Sequence, residues 1–142
     1  MNLNWSHVSK ETFSPNGFLY AGIKSGLKDS ANKDLALIVA PDNSVCSGYF
    51  TQSAVRASCV DICEERLRDS KGSIRAVLIN SGHANACTGD LGSKHSLLAT
   101  EQLSKLLNIK VDQILMCSTG VIGVPIPIEK LINNLPNLVS EL

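Results

Sequence analysis

Two small-residue segments, each closing a short apolar run, most narrow what this chain can fold into. Arg75-Ala76-Val77-Leu78-Ile79 leads into Asn80-Ser81-Gly82-His83-Ala84-Asn85-Ala86-Cys87-Thr88-Gly89. Gln113-Ile114-Leu115-Met116-Cys117 leads into Ser118-Thr119-Gly120-Val121-Ile122-Gly123. Apolar runs this short read as strands. Loops this rich in Gly, Ala, Ser and Asn carry little bulk, so their backbone N–H groups can approach a ligand closely. Two such loops at strand ends are where an α/β protein places a site.

The rest of the chain fits that class. Its 142 residues suffice for one domain with its own core, and 44% apolar content is globular. Thirteen basic residues balance thirteen acidic ones, so no strong field draws nucleic acid or an anionic membrane. Basic residues do not interleave with aromatics, which also argues against nucleic-acid binding. No apolar run approaches the length of a membrane span. Met1-Asn2-Leu3-Asn4-Trp5-Ser6 lacks a charged and then apolar export signal, so a cytoplasmic location is expected. The five cysteines, Cys46, Cys59, Cys63, Cys87 and Cys117, form no CxxC pair. Cys59 and Cys63 would share a helix face, but no His stands near to complete a zinc site. Mostly buried, reduced thiols are expected, with neither metal nor cofactor.

Along the chain, residues 1–16 form a loose lead-in closing in the turn Ser14-Pro15-Asn16-Gly17, and 17–142 form the domain. Phe18 to Gly26 is short and apolar, and Lys28 to Lys33 reads as a polar loop. Leu35 to Ala40 has the pattern of a central strand buried on both faces, and Val45 to Thr51 is expected to pair with it as a hairpin. Asp61 to Ser70 reads as a short, mostly solvated helix stopped by Lys71-Gly72-Ser73. Ser93 to Leu107 is the strongest helix. Leu97, Leu98, Leu103, Leu106 and Leu107 are expected on its buried side, with Asp90 or Ser93 capping its start and Asn108 ending it. Asp112 to Cys117 is a strand. A last helix begins near Pro127 with the stripe Ile128, Leu131, Ile132 and Leu135, interrupted at Pro136.

The chemistry concentrates at Ser118-Thr119-Gly120. A glycine there lets the chain turn sharply, so that backbone N–H groups or a Thr hydroxyl can point at one spot. Such donors stabilise an oxyanion during acyl transfer by about 3 kcal/mol each; the same tripeptide also serves as a plain strand-to-loop turn. In the 80–89 loop the Asn amides either face a ligand or satisfy the loop's own backbone before a helix. His83 has no neighbouring acid to orient it and no Ser or Cys at catalytic spacing. His95 lies on the polar side of its helix and His7 in the lead-in, neither with metal-ligand company.

These motifs reach a family when taken together. Gly17-Phe18, Ala21-Gly22-Ile23-Lys24, Lys33-Asp34-Leu35-Ala36-Leu37-Ile38, Phe50-Thr51 and the two small-residue segments occur in an order that resembles the N-terminal part of the ornithine acetyltransferase (glutamate N-acetyltransferase) family of arginine biosynthesis. The resemblance runs from residue 17 to about 135. It implies part of a layered α/β sandwich with helices outside. It also implies self-cleavage of a precursor into α and β chains, with a Thr at the β N-terminus as nucleophile. Acetyl passes from N-acetylornithine to that Thr and then to glutamate. The family's oxyanion hole carries over to Thr119 and Gly120. Three positions depart from the family: His83 stands where Asn is usual, and Gln52-Ser53 follow Phe50-Thr51 where Thr-Asn is usual. The family's cleavage segment and β chain do not appear before Leu142. The expected function is therefore an α-chain-like portion supplying the oxyanion hole to a β-like chain, or self-associating through surface that chain would cover. The alternative is a non-catalytic remnant or stand-alone binding module. An independent hydrolase is disfavoured, since no nucleophile and base are paired.

Overall fold

The computed structural model describes residues 15–142. The rest of the lead-in, with Ser14 of its closing turn, lies outside the described residues. Among the described residues a turn closes over Pro15–Phe18, with Phe18 N donating to Pro15 O at 3.1 Å.

The elements are β1 (Leu19–Ile23), β2 (Leu35–Val39), α1 (Ser58–Asp69), β3 (Ala76–His83), α2 (Gly89–Leu107), a single 3-10 turn (Val111–Gln113), β4 (Ile114–Val121) and α3 (Ile128–Ser140). The strands form one mixed sheet in the order β1-β2-β3-β4. The first two pairings are antiparallel and the last is parallel. A parallel neighbour requires a crossover, and α2 provides it. The sheet and its three helices make an α/β fold.

One face of the sheet carries the core. Leu35, Leu37, Ala76, Leu78, Ile114 and Met116 pack with Cys59 of α1, Ala99 and Leu103 of α2, and Leu131, Leu135 and Leu138 of α3. Each fully buried leucine of this set contributes roughly 1.5–3 kcal/mol of transfer free energy. The other face carries Tyr20, Ile38, Ile79, Cys117 and Thr119, which are half-buried or exposed. β2 is thus central, but closely covered on one face only. Leu35 and Leu37 are buried, while Ala36 and Ile38, which alternate with them, are half-exposed.

The hairpin expected of Val45 to Thr51 is absent. Both edges of β2 are taken by β1 and β3, so no ladder position remains for a third partner. The segment is irregular and tied by Cys46 N donating to Gly72 O at 2.8 Å. α1 starts earlier than expected and is less solvated, because it lies along the free edge of β4. The Cys63 thiol stands 3.3 Å from both the N and the O of Met116. Burial pushes that thiol up to about 11. Arg66, also buried, donates to Ile114 O at 2.7 Å and to Thr100 Oγ1 at 3.0 Å. Side chains of α1 thus occupy edge groups that would otherwise invite another strand.

The buried stripe of α2 is Gly92, Ser96, Ala99, Thr100 and Leu103, whereas Leu97 and Leu106 are 42% and 43% exposed. Small side chains win the inward face because α2 lies against both its neighbours and the Asn85 loop. A Cβ on Gly92 would come within 2.1 Å of Thr88 Oγ1. The helix begins at Thr88 without a side-chain cap, so neither Asp90 nor Ser93 plays that role. Asn108 ends it in the left-handed conformation, as expected. Pro136 does not end α3. It sits on the exposed side, and the stripe continues through Leu138. The thiols are less buried than expected: Cys59 and Cys63 are buried, Cys46 is half-buried, and Cys87 and Cys117 are exposed. Among the described residues, no helix is long and apolar enough to cross a membrane.

Candidate functional site

The two small-residue segments are neighbours in space. β3 and β4 pair in parallel so that Asn80 faces Ser118, Ser81 faces Thr119, Gly82 faces Gly120 and His83 faces Val121. The sequence suggested loops after strands, but the ladder runs on through both motifs. It continues past His83, with Ala84 N donating to Val121 O at 2.9 Å and Gly123 N to Ala86 O at 2.8 Å.

Asn80 fastens the pair. It is fully buried, its Oδ1 accepts from Ser118 Oγ at 2.6 Å, and its Nδ2 donates to His83 O at 3.0 Å. Strand alternation then puts Ser81 and Thr119 on the opposite, uncovered face, and Thr119 is exposed. The backbone alternates too. Met116 turns its N and O outward to Cys63, so two and four residues on, Ser118 and Gly120 turn theirs the same way, off the free edge. Thr119 therefore carries its side chain on the open face, and Gly120 directs its N–H to the free edge, as neighbours on one strand. Two donors at one corner can hold a carbonyl oxygen that is gaining negative charge.

Glycine is required at this corner. Gly120 has φ +134, and a Cβ there would stand 2.2 Å from the carbonyl carbon of Gly82. Opposite it, Gly82 has φ +116.

The remainder of the first motif is internal scaffolding. Asn85, fully buried and left-handed, donates to Gly92 O at 3.1 Å and Ser96 Oγ at 2.7 Å, and accepts from Thr88 Oγ1 at 3.2 Å. Of the two readings of these Asn residues, self-satisfaction of the loop is the one observed. His83 lies in β3, and His95 is half-buried in α2. The Nδ1 of each is enclosed without a hydrogen-bond partner among the described residues. Among the described residues no three of His, Cys, Asp and Glu converge. A cleft of about 620 Å³ lies between residues 52–58 and 87–93, and neither Thr119 nor Gly120 lines it.

Sequence reasoning missed what the β1–β2 loop does. Asp34, buried at its end, accepts from Ser25 N at 2.6 Å, Ser25 Oγ at 2.8 Å and Lys28 N at 3.1 Å. Burial pushes its carboxyl up, but the donors from Ser25, Lys28 and Leu27 outweigh burial and hold it below its ordinary value. The loop delivers Lys28 to the site, where its Nζ donates to Ser81 Oγ at 3.1 Å. The only sequence signal was the Lys33-Asp34 pair in the family pattern, since the contact spans 53 residues. A carboxyl lowered on folding stabilises the fold above its unfolded pKa, and that stability is lost as pH falls through the folded value. Asp34→Asn is expected to cost about 1–3 kcal/mol at pH 7. Urea melts should show the gap to the unchanged chain narrowing as pH drops below the ordinary carboxylate range.

The same architecture recurs in solved structures. An arginine biosynthesis bifunctional protein ArgJ from Bacillus halodurans superposes with TM-score 0.80 at 30% identity, covering 85% of this chain and 62% of that one. The ornithine acetyltransferase of Mycobacterium tuberculosis, solved with ornithine, gives TM-score 0.85 at 34% identity, covering 90% and 68%. The fold is thus the N-terminal α/β architecture of ornithine acetyltransferases. The chain belongs to the ArgJ family, whose model matches residues 19–142. It is 68% identical over 128 residues to the arginine biosynthesis bifunctional protein ArgJ of Prochlorococcus marinus subsp. pastoris, covering 90% of this chain and 32% of the relative. It is 53% identical over 142 residues to that of Parasynechococcus marenigrum, covering 100% and 35%. The chain spans about a third of the length of these curated relatives.

Proposed function

We propose that residues 17–142 act as the α-chain-like unit of a cytoplasmic glutamate N-acetyltransferase of arginine biosynthesis. In this reading Thr119 and Gly120 are its oxyanion hole. The observation that supports the reading is the register of β3 and β4, which brings the two small-residue motifs together, Ser81 facing Thr119 and Gly82 facing Gly120. The nucleophile is a Thr at the N-terminus of a β-like chain. Its hydroxyl oxygen attacks the acetyl carbon of N-acetylornithine, and its own amine takes the hydroxyl proton. The carbonyl oxygen becomes an oxyanion held by Thr119 Oγ and Gly120 N. Collapse breaks the C–N bond, ornithine leaves with the proton, and an acetyl ester remains. The glutamate amine then attacks that ester through a second oxyanion at the same corner; collapse breaks the ester C–O bond, the amine's proton returns to the Thr hydroxyl, N-acetylglutamate leaves, and no cofactor enters.

The test is acetyl transfer in two preparations. The 142-residue chain alone is expected to form no N-acetylglutamate from N-acetylornithine and glutamate above a protein-free control. Co-expressed with a β-like segment from its relatives, it is expected to form N-acetylglutamate steadily, detected by mass spectrometry. Transfer by the chain alone, or none by the assembled pair, overturns the reading.

A further inference from the structure

We propose that Ser81 and Lys28 are positioning residues for Thr119. Lys28 holds the Ser81 hydroxyl, Ser81 donates to Thr119 Oγ, and the Thr119 proton is thereby kept for the oxyanion. The inference rests on the acetyltransferase reading above and adds to it the groups that aim one donor.

A threonine hydroxyl needs such aim. It rotates, and it accepts as readily as it donates. A donor to an oxyanion is effective when it already points where charge will develop. Thr119 is exposed on the open face of an end strand, so the core does not fix its rotamer. Its ladder partner on that face is Ser81. Adjacent strands lie about 4.8 Å apart, a span that two hydroxyls turned toward each other reduce to hydrogen-bond distance.

Lys28 sets the direction of the chain. Its Nζ donates to Ser81 Oγ at 3.1 Å, the one hydrogen bond of that oxygen among the described residues. An ammonium has donors and no acceptor, so Ser81 accepts from it and keeps its own proton to give. Given to Thr119, that proton fills a lone pair on the β3 side. The Thr119 proton then turns away from β3, toward the free edge to which Gly120 directs its N–H. The two hydroxyls are ladder neighbours not yet bonded in this structure. Such contacts commonly close only as charge develops. A positive charge at the head of the chain strengthens each bond after it.

Lys28 is held in place for this task. Asp34 accepts from Ser25 and from the Lys28 N–H, which ties down the loop. Gly82 lets the loop lie on the motif: a Cβ there would stand 3.1 Å from Lys28 Cβ and 3.2 Å from Leu27 O. The ion pairs among the described residues belong to Arg56, Arg68 and Arg75, so no carboxylate among them draws the Lys28 ammonium off Ser81.

The test is a double-mutant cycle in the assembled enzyme, with N-acetylornithine and glutamate as substrates. Ser81→Ala is expected to lower kcat about tenfold with KM little changed, since the loss falls on developing charge. In a Thr119→Ala background the same substitution should change kcat less than about twofold, because the donor it aims is gone. Lys28→Met should follow the same pattern with a loss of about threefold or more, and Lys28→Arg should keep most of the rate. If Ser81→Ala fails to fold by circular dichroism, Lys28→Met runs the cycle from the other end. A purely structural role would lower kcat by the same factor in both backgrounds, and that result overturns the proposal. So does a Ser81→Ala or Lys28→Met enzyme that keeps full kcat, or one that raises KM alone. An assembled enzyme without acetyl transfer in its unchanged form overturns the underlying reading instead.

Discussion

Thr119→Ala is expected to lower kcat of the assembled enzyme about a hundredfold or more while KM changes little. The hydroxyl acts where charge develops, so its loss falls on the transition state and spares ground-state binding. Stability should barely change, because Thr119 is exposed and takes no part in the core. Steady-state kinetics with circular dichroism as the check on folding decide it. An Ala variant with full kcat and an intact spectrum would reduce Thr119 to a strand residue without chemistry.

Gly120→Ala is expected to act on the fold itself. At φ +134 an L side chain is strained, and the added Cβ would meet the backbone of Gly82 and His83 at 2.2–2.5 Å. Backbone cannot rotate away as a side-chain tip can. The strands must part or the ladder end must open, at about 3 kcal/mol or more. Gly123→Ala is the matched control: it has φ +79 but nothing within 4 Å of the added carbon. Its cost should be about 1 kcal/mol, from conformation alone. Urea denaturation of the three chains should show the larger fall in midpoint for Gly120→Ala. Equal midpoints for the two variants would mean that the close approach of β3 and β4 contributes nothing.

Much of this could be read along the sequence because its signals are local. The apolar runs at 35–39, 76–79 and 114–117 are strands since four or five consecutive apolar residues suffice to show them. Asn108 ends α2 because a left-handed residue is a local requirement. The failures occur where the partner decides. The leucines of α2 suggested its inward face, and Leu103 lies there, yet toward the helix start the Asn85 loop leaves room only for Gly92 and Ser96. Val45 to Thr51 looked like a partner for β2, but the pairing positions of β2 were taken by β1 on one side and β3 on the other. At the candidate site, Thr119 and Gly120 were legible as donors in a small-residue segment. Lys28 was not, since its meeting with Ser81 depends on Asp34 folding the intervening loop.

The matched ladder of β3 and β4 also bears on how this chain can change length over evolution. Its side chains alternate with a period of two, so adding or deleting one residue within either strand reverses everything beyond that point. Thr119 would swing onto the helix-covered face, and Ser118 would lose Asn80. Substitutions along these strands can be graded in effect, whereas a single-residue indel cannot. Length variation is tolerable only where no register must be kept, in irregular connections such as 40–57. Natural variants of different length should therefore place their gaps outside Ala76–His83 and Ile114–Val121, even where the residues themselves have diverged.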